Sequence, residues 1–102
     1  MDMNESGFKI IMHSGDARSY TMEALKNARK GNFEKAEQLL KDADDQLLQA
    51  HKIQTSLLHE EANGRSMNLS IIFVHAQDHL MTAMLAKDLA TEIIAMQQDK
   101  TL

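Results

Sequence analysis

The sequence predicts an all-α chain, an antiparallel three-helix bundle forming one domain over residues 1–102, that self-associates through its third helix. Three observations carry this. Proline is absent and aromatics make up 4% of the chain, so most positions fall to alanine, leucine, methionine, lysine and glutamate, which cost little in a helix. Two short glycine-containing breaks, "KGNFE" and "ANGRSMN", divide the chain into three runs. Within the runs, apolar residues return at spacings of three and four, the period of one helix face.

The first run, about Asn4 to Lys30, places Ile11, Gly15, Arg18, Met22, Leu25 and Arg29 on one stripe, widened by Phe8, Met12 and the alanines. Gly15 inside a helix costs about 1 kcal/mol relative to alanine, and the expected compensation is close approach of a neighbouring helix. Gly31 suits the C′ position that ends this helix. Asn32 suits the next N-cap, with Glu34 in the following first turn.

The second run is cleaner. Ala36, Leu40, Ala43, Leu47, Ala50 and Leu57 form the stripe, with Leu39 and Ile53 beside it. Lys35, Glu37, Lys41, Asp44, Asp45 and Lys52 form a solvated opposite face. Gly64 ends the run, and Ser66 or Asn68 is expected to cap the next helix. Connections this short make neighbouring helices antiparallel.

The third run, about Asn68 to Gln98, is apolar on two sides. Leu69, Ile72, Ala76, Leu80, Ala83, Ala90 and Ile94 can face the other helices. Ile71, Val74, Asp78, Met81, Leu85 and Leu89 form a second stripe that a three-helix bundle cannot also cover. Monomers rarely tolerate so large an exposed apolar patch, so the stripe predicts self-association. Asp78 alone is charged there, and a polar residue at such a position commonly fixes register and copy number. Spacing does not give the number of copies.

Several classes of function are excluded. Without cysteine there is no disulfide framework, thiolate metal site or cysteine nucleophile. A net charge of -4 with both signs interspersed provides no basic stripe for nucleic acid. No apolar window is long enough for a membrane span, and the acidic, polar start is the wrong chemistry for a secretory signal. A cytoplasmic protein is expected.

Chemistry concentrates in "VHAQDHLM", Val74 to Met81. His75 and His79 are four apart and share a helix face, and Asp78 adjoins it. Three readings stand side by side. A zinc-type site would use both histidines, but the zinc-protease pattern needs glutamate where Ala76 stands, and a third ligand must come from His13, His51 or His59. A neutral imidazole could instead attack phosphorus, with Gln77, His79 or Thr82 donating to the phosphoryl oxygens. The third reading is structural: satisfied polar groups at an oligomer seam.

The segments "HSGDARSYTMEAL", "GNFEKAEQLL", "AHKIQTSL" and "VHAQDHLMTAMLAKDLA" resemble one family in order, from about Ile10 to Met96. It is the IIA component of the lactose/cellobiose class of the bacterial phosphoenolpyruvate-dependent sugar phosphotransferase system. The resemblance implies a phosphocarrier and phosphotransferase subunit, a homotrimer of three-helix bundles. Its active histidine opens the "HAQDH" motif, here His75. That residue would accept a phosphoryl group from phosphohistidine on HPr and pass it to a cysteine of the IIB component, during uptake of a disaccharide through the membrane IIC component. Gln77 and His79 would support the transfer. Asp78 would bind Mg²⁺ or a similar cation with its symmetry mates at the trimer axis, as a structural element. His51 and His59 are expected to be surface or packing residues, and His13, although it falls in the resembling "HSGDARS" segment and so near a site, is not expected to be catalytic. Non-catalytic scaffolding by the same bundle is the alternative.

Overall fold

Two glycines make the corners. Gly31 and Gly64 both take a φ of +85°, the left-handed conformation that glycine adopts without penalty from a Cβ. Around Gly31, the amide of Asn32 donates to the carbonyl of Asn27 at 2.8 Å and that of Gly31 to Ala28 at 3.0 Å. Around Gly64, Arg65 donates to Glu60 at 3.2 Å and Gly64 to Glu61 at 3.0 Å. Both are Schellman endings, which satisfy carbonyls a helix terminus would otherwise leave open.

The computed structural model describes residues 3–66 and 69–100. Between and beyond the corners run α1 (Met3–Arg29), α2 (Phe33–Ala62) and α3 (Ile71–Lys100), which form a rod of 55 × 19 × 17 Å. Paired residues give the topology. His13 meets Gln46 and Gln54 meets Gln77, so α2 runs antiparallel to both neighbours. Gly7 lies against Ile72, while Met22 and Leu25 share a groove with Ile93 and Ile94, so α1 and α3 run parallel. α1 packs extensively on both partners, whereas α2 and α3 meet along a narrower seam.

The predicted stripes of α2 and α3 hold in the main. Ala36, Leu39, Ala43, Leu47, Ala50 and Leu57 are buried from α2, and Ala76, Leu80, Ala83, Ala90 and Ile94 from α3. Leu69 is exposed instead, because it precedes the helix.

α1 departs from expectation. Its buried residues are Ser6, Gly7, Ile10, Ser14, Ala17, Thr21, Ala24 and Ala28, a face turned by one residue from the predicted stripe. Phe8, Met12 and Met22 are about half exposed. Small residues form this seam and let α2 and α3 come close, so size rather than hydropathy selects the inner face. The close approach falls at Gly7, where an added Cβ would lie 3.1 Å from Cγ2 of Ile72, and not at Gly15, where it would meet nothing within 4 Å. Thr21 satisfies its hydroxyl by donating to the carbonyl of Ala17 at 2.8 Å. The hydroxyls of Ser6 and Ser14 are buried and have no hydrogen-bond partner among the described residues.

Two capping expectations change. Asn32 occupies the N-cap of α2 but makes no side-chain capping bond. α3 begins at Ile71, where Oγ of Ser70 rather than Ser66 accepts from the amide of Phe73 at 3.1 Å; the other predicted cap, Asn68, lies outside the described residues. Asp44, read from sequence as simply solvated, pairs with Lys87 across the α2–α3 seam at 2.8 Å.

Candidate functional site

The second stripe of α3 faces outward. Ile71 is 88% exposed, and Val74, Met81, Leu85, Leu89, Ile93 and Met96 are each more than half exposed. The apolar face therefore continues two turns beyond the predicted Leu89. Asp78 lies within it, also exposed.

His75 and His79 stand beside this stripe on one flank. Their rings meet edge to face with centroids 4.5 Å apart at 87°, and the two Nε2 atoms are 3.1 Å apart. A hydrogen bond between them requires one nitrogen to hold the proton and the other the lone pair. His75 is exposed and His79 partly covered. The pair thus presents an accessible imidazole with a second ring nitrogen one hydrogen bond away. That arrangement suits a nucleophile whose product carries acceptor oxygens.

Gln77 is not part of this pair within one chain. It lies on the other flank of α3, where its Oε1 accepts from Nε2 of Gln54 at 2.6 Å. Gln54 had no signal in the sequence, because its role depends on how α2 and α3 align. Thr82 is also accounted for: its hydroxyl donates to the carbonyls of Asp78 at 2.8 Å and His79 at 3.2 Å, so it is no free donor for a phosphoryl oxygen.

The remaining histidines lie apart. Nδ1 of His13 bonds Oε1 of Gln46 at 2.8 Å on the α1–α2 seam. His51 lines a shallow α2–α3 groove with Leu48 and Met84, and His59 is exposed in the last turn of α2. None is brought to His75 and His79 as a third ligand. Among the described residues, no group of three or more histidines and carboxylates of one chain could hold a metal ion. No described helix is long and apolar enough to cross a membrane.

Comparisons with known proteins converge. The family model for the lactose/cellobiose-specific IIA subunit of the PTS system matches residues 5–98. A lactose-specific EIIA component of the PTS system from Streptococcus mutans is 49% identical over 90 residues, 88% of this chain and 86% of that protein. The crystal structure of the PTS cellobiose-specific enzyme IIA from Bacillus anthracis superposes with a TM-score of 0.95 at 37% identity, covering 99% of this chain and 93% of the other. The IIA(chitobiose) chain in solution structures of its complex with HPr, from the N,N′-diacetylchitobiose branch of the Escherichia coli phosphotransferase system, has a TM-score of 0.82 at 35% identity, covering 100% and 99%.

Proposed function

The chain belongs to the lactose/cellobiose-specific IIA family of the sugar phosphotransferase system, and we propose that within it His75 is the phosphoryl carrier. The observation that carries this reading is the exposed His75 imidazole with Nε2 of His79 at 3.1 Å. The donor is phosphohistidine on HPr; the IIA(chitobiose) relative is known in complex with HPr. The acceptor is a cysteine of the IIB component, which phosphorylates the sugar entering through the membrane IIC component. The work is done in the cytoplasm.

The chemistry balances at one nitrogen. The lone pair of a neutral His75 imidazole attacks phosphorus as the phosphorus–nitrogen bond of the donor breaks, and the departing imidazole keeps that electron pair and takes up a proton. His79, within reach of the same nitrogen, donates its N–H to the arriving phosphoryl oxygens. In the second transfer a cysteine thiolate attacks phosphorus, and His75 leaves with the electron pair. The incoming group carries about -1.5 to -2 charge, so donors rather than carboxylates belong around it.

Three copies assemble through the outward stripe of α3, which explains an apolar face that one bundle leaves uncovered. Each chain brings a single Asp78 carboxylate to that stripe. One carboxylate cannot hold a cation, but three related by rotation supply hard oxygen donors suited to Mg²⁺ or a similar divalent ion. When bound, such an ion would neutralise the clustered carboxylates as a structural element. The sugar is a disaccharide of the lactose, cellobiose or chitobiose type. Relatives carry different sugar names, and sugar contacts belong to IIC.

The test is intact-mass and ³¹P NMR measurement after incubation with phosphoenolpyruvate, enzyme I and HPr. One acid-labile phosphoryl group per chain, lost in His75→Ala without loss of assembly, is expected. No phosphorylation with active upstream proteins would leave the histidines structural and the protein a helical scaffold.

A further inference from the structure

We propose that Arg18 of α1 closes on the phosphoryl group carried by His75 of its own chain, and that Gly15 keeps open the gap its side chain crosses. This deepens the phosphocarrier reading and rests on it. The flank of α3 that holds the two histidines is the one beside α1. Ile93 stands about five full turns beyond His75, and Gln97 about five beyond His79, so each pair shares one line along the helix. Ile93 and Gln97 border a groove with Met22, Leu25 and Arg29 of α1. Toward the other end, Gly7 lies against Ile72. From that contact, parallel helices that rise equally bring Gly15 level with Leu80 and Arg18 level with Ala83. Arg18 thus stands one turn past His79, about 6 Å along the axis.

Helical side chains lean back over the preceding turn, which carries Arg18 across Gly15 toward the level of His79. Nothing lies within 4 Å of a Cβ added at Gly15, so that route is unobstructed. The gap also accounts for the glycine itself. Gly15 has no positive φ and no close helix neighbour, the usual structural reasons for a residue that costs about 1 kcal/mol in a helix interior.

The charges fit this assignment. Arg18 is exposed and makes no ion pair among the described residues. Asp16 and Glu23 each stand two residues on from a buried neighbour, Ser14 and Thr21, and so lie on the opposite side of α1. Glu23 is also engaged there by Lys26 at 3.7 Å. On α3 the flank continues through Thr82, Ala86 and Ile93, none of them acidic. An arriving phosphoryl group brings about -1.5 to -2 charge close to Asp78, and His79 offers its oxygens a single N–H. A guanidinium stays charged at any working pH, and its planar fork presents paired N–H donors to two oxygens at once. Arg18 exchanges no proton and forms no covalent bond. It holds the negative oxygens while phosphorus passes to and from the His75 imidazole.

Rapid-quench intact mass, which gives the transfer rate against phospho-HPr concentration, tests this on the full chain. Arg18→Gln is expected to accept phosphoryl about tenfold to a hundredfold more slowly at saturating phospho-HPr, the scale of one hydrogen bond to a charged group. The half-saturating concentration should not change. Arg18→Lys, which keeps the charge and loses the fork, should recover part of the rate. Gly15→Leu, which fills the gap, should be slowed in the same way and lose nothing further when combined with Arg18→Gln, because both remove one contact. An unslowed Arg18→Gln would overturn the proposal. So would a change confined to the half-saturating concentration, which marks a docking contact with HPr, or loss of assembly on sedimentation, which marks a contact between copies. In the wild-type protein the ¹⁵Nε resonance of Arg18 should shift when His75 is phosphorylated, and an unmoved resonance would also overturn the assignment. Wild-type protein that takes no phosphoryl group would instead remove the reading on which it rests.

Discussion

Replacing glycine by alanine should raise stability at one position of α1 and fail to raise it at another. A glycine in a helix interior costs about 0.8–1.0 kcal/mol relative to alanine. At Gly15 nothing lies within 4 Å of the added Cβ, so Gly15→Ala should realise nearly all of that gain. For a domain of this size about 1 kcal/mol corresponds to a rise in Tm of roughly 4–8 °C. At Gly7 the same Cβ would lie 3.1 Å from Cγ2 of Ile72 and 3.6 Å from both its carbonyl oxygen and Cα of Phe73. Overpacking of this kind costs about 1–3 kcal/mol, which cancels or exceeds the helical gain. Gly7→Ala should therefore melt at or below the parent temperature. The assay is thermal unfolding followed by helical circular dichroism at one fixed chain concentration, because assembly makes Tm concentration-dependent. Equal rises for both variants would refute the close approach of α1 and α3, and a fall for Gly15→Ala would refute the open space beside it.

Other substitutions test the seam and the assembly. Ser14→Ala removes a buried hydroxyl without a partner and should stabilise the fold by about 1 kcal/mol; urea unfolding giving a lower midpoint would show that the hydroxyl is bonded in solution. Asp78→Leu should keep or strengthen the assembly and make it indifferent to chelators, whereas sedimentation as a monomer would show that the carboxylates or their cation hold the copies together. Leu85→Glu places a charge in the middle of the outward stripe, at several kcal/mol per chain if left unpaired in an interface. It should sediment as a helical monomer, and an intact oligomer would refute α3 as the assembly surface.

The bundle, its corners and the two-sided character of α3 were legible in the sequence because glycine punctuation and apolar period are local signals. Gly31 and Gly64 do take left-handed corners, and the stripe from Ile71 to Leu89 is exposed as its surplus apolarity predicted. The face of α1 was not legible, since Gly7, Ser14 and Thr21 are chosen for small size, a property that emerges only once two helices are pressed against them. Capping at Ser70 was missed because serine, asparagine and glycine crowd the whole connection and each could end it. At the site, helical spacing alone brought His75 and His79 together. The partner of Gln77 required the alignment of α2 with α3, which no local pattern encodes.

The parallel run of α1 and α3 also has an electrical consequence. Peptide dipoles of antiparallel neighbours oppose one another, so α2 offsets only one of its two partners. Each subunit keeps an uncompensated field whose positive pole lies at the end where α1 and α3 both begin. His75 is the fifth residue of α3, and helical side chains lean toward the N-terminus, into that pole. The first turn of α3 carries no acidic residue to spend the field on. A helix start favours a nearby anion by about 0.3–1 kcal/mol. His75 stands just past that first turn, so on the proposed reading the pole draws an arriving phosphoryl group toward the site without fixing where the transfer equilibrium lies, and rotation would point the three poles of a ring the same way.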